Sequence, residues 1–165
     1  MRRVCALLAL LASSTALAEQ VRLRLSTPVP EGSAYARELH SFSREVLNRT
    51  DGHVDTKWYM GAITGDEFAQ IERMRRGQLD GAGLAIGCEQ LAPSLRAVRI
   101  VGLVRSRDEA SFIISRLKPQ IEREMAQAGF VPLGLGTLGS VVAITRTPVR
   151  RLDEIKKLRL WVWDK

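Results

Sequence analysis

Residues 54–86, VDTKWYMGAITGDEFAQIERMRRGQLDGAGLAI, decide the fold. The first six residues alternate apolar and polar side chains, which predicts a strand with one inner face. Residues 61–65 begin and end with glycine and predict a loop, after which Asp66 caps a helix that Gly77 ends. The small apolar residues at 79–86 are typical of a buried strand in a parallel sheet. A strand–helix–strand unit of this kind indicates an α/β fold.

The same alternation of elements extends towards the N-terminus. Residues 21–26 alternate in polarity and predict a first strand that ends at Thr27. A helix is expected to begin at Ser33 and to end in the turn at 48–52. Its predicted apolar face carries Tyr35, Leu39, Phe42 and Val46, spaced four, three and four residues apart.

Towards the C-terminus we expect a second apolar strand at 97–104 and a long helix from Asp108 to Gly129. Pro119 should kink or break that helix, because its ring collides with the carbonyl group four residues earlier. The remaining predicted elements are two apolar stretches at 130–135 and 140–145, a helix at 152–157 and a final strand at 158–162. These elements predict a largely parallel sheet flanked by helices, in one α/β lobe spanning residues 19–157.

The first eighteen residues have the pattern of a secretory signal peptide. Arg2 and Arg3 precede an apolar run at 4–12, and Ala16-Leu17-Ala18 supplies a small-x-small cleavage site, so we expect cleavage after Ala18. The mature chain keeps one cysteine and forms no internal disulfide, which suits a bacterial periplasm. The expected localisation is therefore periplasmic.

The charge pattern argues against nucleic acid as a partner. Removal of Arg2 and Arg3 lowers the formal charge from +7 to +5, and acidic residues are interspersed with the remaining basic ones. A mixed pattern of this kind is typical of a solvated surface, and export separates the protein from nucleic acid.

Residues 134–139, GLGTLG, match the GxGxxG pattern of dinucleotide sites. That site requires a helix after the glycines, whereas β-branched, strand-like residues follow here. A loop between strands is the favoured interpretation, and Gly136 can still line a ligand cleft, because glycine lets a ligand approach the backbone.

Cys88 raises the alternative of a secreted hydrolase. The nucleophile would need His40 or His53 within hydrogen-bond reach, since these are the two histidines of the chain. Two histidines and one mature cysteine do not favour a zinc site. A truncated, non-functional product is a further alternative.

The last strand carries Trp161 and Trp163 on the same predicted face as Arg159. Core packing is one interpretation of these indoles. The other is a ligand wall, because aromatic faces and a guanidinium group suit a small organic molecule.

Two segments resemble the solute-binding proteins of tripartite ATP-independent periplasmic (TRAP) transporters, the DctP-like family. Residues 58–67, WYMGAITGDE, with 74–82, MRRGQLDGA, are similar to its Y-P-G-G-x-L-G and G-x-(LI)-D-(MG)-A runs. Residues 147–162, from TPV to LRLWV, are similar to its P-(IV)-x-x-x-D-L-K-G-L-K-I-R-V run. The resemblance covers about residues 21–162.

The resemblance implies a periplasmic-binding-protein type II-like fold with two α/β lobes that close on a ligand. Residues 158–165 would then begin a crossover strand towards a second lobe, so we expect a chain truncated before that lobe. It also implies a binding protein and no enzyme, with no cofactor, a small organic solute and membrane permease subunits as partners. A branch of the family with an accessory periplasmic helical-repeat protein is a weaker implication. The expected ligand-binding residues are Ser26, Thr27, Gly87, Cys88, Gly136, Arg159, Trp161 and Trp163.

The sequence departs from the resembled pattern at four positions. Met60, Ala62 and Thr64 replace the usual proline, glycine and leucine of the first run. Trp161 stands where the family places an arginine that grips a ligand carboxylate, and an indole has one N–H donor and no charge. We therefore expect a more apolar or aromatic solute than the dicarboxylates or sialic acids that the resemblance would otherwise imply.

Overall fold

The computed structural model describes residues 20–100, 102–137, 139, 142 and 144–160. The chain divides into two compact units, Met1–Pro93 and Ser94–Lys165.

The first unit contains a three-stranded parallel sheet in the order β2-β1-β3. Strand β1 spans Val21–Ser26 and β2 spans Val54–Tyr59, which confirms both predicted strands. Leu25 of the central strand lies opposite Trp58 on one side and Gly81 on the other.

The third predicted strand, at 79–86, is wrong in its length, because β3 comprises only Gly81–Ala82. The carboxylate of Glu67 accepts hydrogen bonds from the backbone N–H groups of Ala85 and Gly87. These amides bind a side chain and not a neighbouring strand, so the ladder ends early.

Two helices of the first unit begin where the sequence predicts, and Asp66 is the cap that we expected. Helix α1 spans Ala34–Arg49, and its cap Ser33 accepts a hydrogen bond from the N–H of Ala36. Helix α2 spans Glu67–Arg75, and its cap Asp66 accepts from Ala69. The predicted glycine Gly77 follows with a φ of 66°, a left-handed conformation that favours glycine after a helix.

The apolar face predicted for α1 is wrong in part. Tyr35 and Phe42 are each 47% exposed. The helix instead contacts β2 through Ser43, whose hydroxyl oxygen accepts hydrogen bonds from Thr56 and from the indole of Trp58. The polar residue that follows Phe42 therefore lies against the sheet.

The predicted strand at 97–104 is wrong. A short helix α3, Cys88–Leu91, precedes a 3₁₀ helix at Pro93–Arg99, and no strand occurs in the described residues from 100 to 104. The Glu124 carboxylate accepts from both the backbone N–H and the hydroxyl of Ser94, at 3.0 and 2.6 Å. This contact holds the start of the 3₁₀ helix against the next helix.

That next helix, α4, spans Arg107–Gln127 and is capped by Ser106. It continues through Pro119, so the break that we expected as the alternative to a kink is wrong. Ile114 and Ile121 are buried on either side of the proline. Packing of these side chains offsets the loss of one backbone hydrogen bond.

The rest of the second unit contains one short helix among its described residues. Helix α5 spans Leu152–Ile155, two residues shorter than the predicted 152–157. The described residues of 130–135, 140–145 and 158–160 form no strand. Residues 161 and 162 of the predicted final strand lie outside the described part. None of the described helices is both long and apolar enough to cross a membrane.

Candidate functional site

The order of the strands locates a candidate site in the first unit. The chain moves from β1 to β2 on one side and returns to place β3 on the other side of β1. In parallel α/β sheets, ligands bind beyond the carboxyl ends of the strands where the order reverses in this way. We call residues 26–29, 59–67 and 82–88 the carboxyl edge. Ser26, Thr27, Gly87 and Cys88, four of the predicted site residues, belong to it.

Ser26 and Thr27 are fully buried, and their hydroxyl groups bind other parts of the protein. The Ser26 hydroxyl oxygen lies 2.5 Å from that of Thr64 and 3.3 Å from the Tyr59 carbonyl oxygen. The Thr27 hydroxyl accepts a hydrogen bond from the N–H of Val29. An added Cβ at Gly83 would lie 3.4 Å from the Thr27 hydroxyl oxygen, so the two loops are neighbours at this point.

The loop after β2 is held from several directions. Its Gly61 donates a backbone hydrogen bond to Val29, and Gln70 donates from its side chain to the Gly65 carbonyl. Arg73 reaches the loop from α2 and donates to the Thr64 carbonyl oxygen at 3.0 Å. Ala62 has a φ of 60°, a left-handed conformation that costs an L-residue free energy.

Glu67 joins the two outer strands of the sheet at this edge. It begins α2, after β2, and its Oε2 accepts hydrogen bonds from Ala85 at 3.0 Å and Gly87 at 2.6 Å, after β3. A Cβ at Gly87 would lie 2.9 Å from the Cβ of Glu67, which real structures do not tolerate. Sequence reasoning missed Glu67, because a glutamate in the first turn of a helix is ordinary.

Cys88 has the properties of an unreactive thiol. Burial, together with the negative charges of Glu67 and Glu89, raises the pKa of the thiol to about 11. Its sulfur donates to the Ala85 carbonyl oxygen at 2.7 Å. A nucleophilic cysteine needs the opposite environment, one that stabilises the thiolate.

Cys88 forms no hydrogen bond with either histidine among the described residues. His53 precedes β2, at the opposite end of the sheet from the carboxyl edge, roughly 17 Å away for a six-residue strand. His40 lies on α1, where its Nε2 is 2.8 Å from a carboxylate oxygen of Glu31. This placement argues against a Cys-His pair.

The exposed surface of the carboxyl edge is mainly apolar and carries no basic side chain of its own. Ile63 is 72% exposed, and Leu84 and Ile86 are partly exposed. The three segments contain Asp66 and Glu67 but no lysine, arginine or histidine. No cluster of three or more His, Cys, Asp or Glu side chains that could hold a metal occurs within the described residues.

The other predicted site residues belong to the second unit. Gly136 lines a groove of about 280 Å³ between α4 and residues 132–137, with Lys118 and Glu122 on its helical side. Arg159 is exposed. Trp161 and Trp163 lie outside the described residues.

Comparison with known proteins gives one family match. The sequence profile of the family described as "Bacterial extracellular solute-binding protein, family 7", DctP, matches residues 25–164. A relative described as a "Solute-binding protein" from Chromohalobacter salexigens is 28% identical over 138 residues, which are 82% of this chain and 40% of the relative.

Solved structures with the same fold are TRAP periplasmic solute-binding proteins. One from Sulfitobacter, with bound β-D-galacturonate, has a TM-score of 0.62 and 19% identity, covering 69% of this chain and 39% of that one. One from Chromohalobacter salexigens, with bound D-glucuronate, has a TM-score of 0.57 and 25% identity, covering 64% and 36%. The chain thus spans about two-fifths of the length of these relatives.

Proposed function

We propose that this chain, which belongs to the bacterial extracellular solute-binding proteins of family 7, provides one wall of the solute cleft of a TRAP-type transporter. The observation that carries the proposal is the reversal of strand order at β1, which places the carboxyl edge where α/β sheets bind ligands. The protein binds its solute without changing it and delivers it to membrane permease subunits. The signal-peptide pattern at 1–18 supports a periplasmic location.

The carboxyl edge favours a solute without a carboxylate. Its exposed side chains are apolar, its charged ones are acidic, and the hydroxyls of Ser26 and Thr27 are already bonded within the protein. An anion bound there would lose its hydration without gaining a cationic partner from these three segments. The tryptophan at position 161, where the resembled pattern has arginine, points in the same direction.

The two solved structures named above contain sugar acids, whereas the carboxyl edge of this chain favours a solute without a carboxylate. Those acids are ligands of other proteins. We therefore propose a neutral, partly apolar organic solute for this chain, with Trp161, Trp163 and Arg159 as further candidate solute-binding residues. The accessory helical-repeat protein stays a prediction.

Matched pairs of solutes test the proposal. D-glucuronate and D-glucose differ in one carboxylate, and so do benzoate and benzyl alcohol. We expect the neutral member of a pair to raise the melting temperature by roughly 5–10 °C at a hundredfold excess over its Kd. If no neutral compound in a broad metabolite panel raises the melting temperature, the proposed function is wrong.

Trp161→Arg tests the wall itself. This variant should gain a rise in melting temperature with the carboxylate member of a pair, because a guanidinium group binds a carboxylate with two hydrogen bonds. Trp163→Arg is the matched control and should gain less, since the resembled pattern has its arginine at position 161. Equal behaviour of the two variants would contradict a specific role for position 161.

A further inference from the structure

Two backbone N–H groups converge on one carboxylate at the carboxyl edge. The Oε2 atom of Glu67 lies 3.0 Å from the nitrogen of Ala85 and 2.6 Å from that of Gly87. Successive backbone donors that point at one spot form a concave anion site, of the type that proteins use for phosphates and carboxylates. Here the protein's own side chain occupies that site.

The glutamate is held firmly in this position. An added Cβ at Gly87 would lie 2.9 Å from the Glu67 Cβ and 3.3 Å from the Cδ1 of Ile71, so glycine alone allows the loop to pack this closely. Glu67 is partly buried, and it forms no ion pair within the described part of the chain. Its negative charge is therefore balanced by amide dipoles and not by a cation.

We propose that Glu67 sets the charge preference of the site, because its carboxylate occupies the amides of Ala85 and Gly87 and thereby excludes an anionic solute from them. This inference rests on the proposed function, since it concerns the same edge of the sheet. The residue composition of the carboxyl edge suggests a preference for neutral solutes, and we assign this preference to Glu67. A carboxylate solute would have to displace Glu67 or accept its repulsion at short range.

Cys88 supplies a reporter that can be used before the solute is known. The charge of Glu67 contributes to the raised pKa of this thiol, after burial and ahead of the charge of Glu89. The rate at which iodoacetamide alkylates Cys88 follows the thiolate fraction. Its dependence on pH, followed by mass mapping of the Cys88 peptide, measures the charge beside the sulfur.

Three variants separate the effect of the Glu67 charge from the effect of its hydrogen bonds to the amides of Ala85 and Gly87. Glu67→Gln keeps an acceptor for the two amides but removes the charge, whereas Glu67→Ala removes both. Both should shift the alkylation profile to lower pH, and each unit of pKa raises the rate at pH 8 about tenfold. Glu89→Gln is the control, because it removes a charge near the thiol and leaves the amides occupied.

Added acetate then tests the anion site. In Glu67→Ala, acetate should bind the vacated amides and return the profile towards that of the unsubstituted protein, while acetamide should not. Neither Glu67→Gln nor Glu89→Gln should respond to acetate, since their amides remain occupied. Circular dichroism establishes that each variant is folded, and Glu67→Gln still tests the charge if Glu67→Ala does not fold.

Two results would overturn the inference. An unchanged alkylation profile in Glu67→Gln would mean that Glu67 places no effective charge at this edge. A shifted profile in Glu67→Ala that acetate leaves unaltered would mean that the two amides do not form an anion site. Neither result depends on whether the unsubstituted protein binds a neutral solute. The alkylation experiments therefore test the role of Glu67, and the melting-temperature panel separately tests the proposed function.

Discussion

The hydroxyl oxygen of Ser26, the last residue of β1, lies 2.5 Å from the hydroxyl oxygen of Thr64 in the loop after β2. The resembled family pattern has leucine where this chain has Thr64, so the pair depends on a hydroxyl group that the pattern lacks. Ser26 is fully buried, and its second contact is to the Tyr59 carbonyl oxygen. The hydroxyl that the sequence suggested for ligand binding therefore joins the end of β1 to the loop after β2.

A double-mutant cycle should measure this contact. Ser26→Ala and Thr64→Val each remove one hydroxyl, and each should lower the free energy of unfolding by about 1–2 kcal/mol. The double variant should be more stable than the sum of the two losses predicts, with a coupling energy of about 0.5–1.5 kcal/mol. Urea unfolding of the four proteins gives the coupling.

The control cycle combines Ser26→Ala with Thr56→Val. Thr56 bonds Ser43 on the other face of the sheet, so these two losses should add to within about 0.5 kcal/mol. Additive losses for Ser26 and Thr64 as well would contradict the contact.

The ion pair between Arg24 and Asp80 should make stability depend on acid pH. The guanidinium group donates two hydrogen bonds to the carboxylate, each of 2.9 Å, and the Arg24 backbone N–H donates a third. The side-chain hydrogen bonds from Arg24 are the main cause that lowers the pKa of Asp80 to about 2. The pair thus joins β1 to the residue just before β3.

The sign of the effect follows from the direction of the shift. Asp80 has a lower pKa in the folded state than its unfolded value of about 3.9, so its contribution is complete above pH 4 and disappears as the pH falls through 2. Asp80→Asn should therefore reduce stability at pH 7 and flatten the loss of stability between pH 4 and 2. Thermal melts across that range measure it, and Asp51→Asn, in an exposed turn, should behave like the unsubstituted protein. A steep acid transition in Asp80→Asn would contradict the prediction.

The sequence predicted the elements whose signals are local. A helix begins after Ser33 and Asp66 caps the next helix, as expected, and Gly77 follows that helix in a left-handed conformation. The polarity alternation of β1 and β2 was also sufficient, because alternation with a period of two residues is a local signal of a strand. The two-residue length of β3 was not predictable, since it depends on Glu67 eighteen residues earlier in the chain binding the amide of Ala85.

The sequence placed only part of the candidate site at a strand end. Ser26 and Thr27 lie at the carboxyl end of β1, as the rule for parallel sheets expects, whereas Gly87 and Cys88 follow the end of β3 by five and six residues. Their role in binding a solute stays a prediction. The sequence could not predict which of these side chains face a solute. The hydroxyl of Ser26, for example, bonds to Thr64, a partner that no local pattern identifies. The predicted strand at 97–104 failed for a similar reason, since the contact of Ser94 with Glu124 spans 30 residues.

Ala62→Gly should stabilise the protein. Ala62 has a φ of 60°, a conformation that costs an alanine about 1–2 kcal/mol and a glycine nothing. Glycine adds entropy to the unfolded chain, which offsets about 0.4–1 kcal/mol of the gain. We expect a net rise of roughly 0.5 kcal/mol in the free energy of unfolding, measured by urea titration. Ala126→Gly, at an exposed helical position, is the control and should lose about 1 kcal/mol. A loss at both positions would contradict the proposed strain at Ala62.

Gly87→Ala should destabilise the carboxyl edge, because the new methyl group has no space. Its Cβ would lie 2.9 Å from the Cβ of Glu67, and neither atom can move without displacing backbone. We expect a loss of about 1–3 kcal/mol in the free energy of unfolding. We also expect faster hydrogen exchange at the amides of Ala85 and Gly87, since the methyl group separates them from the carboxylate of Glu67.

Gly134→Ala is the matched control for Gly87→Ala. An added Cβ at Gly134 meets no atom within 4 Å, so the free energy of unfolding should change by less than about 0.5 kcal/mol. Equal stability of the two variants, with exchange at Ala85 unchanged, would mean that the close contact between Glu67 and Gly87 does not hold this loop in place.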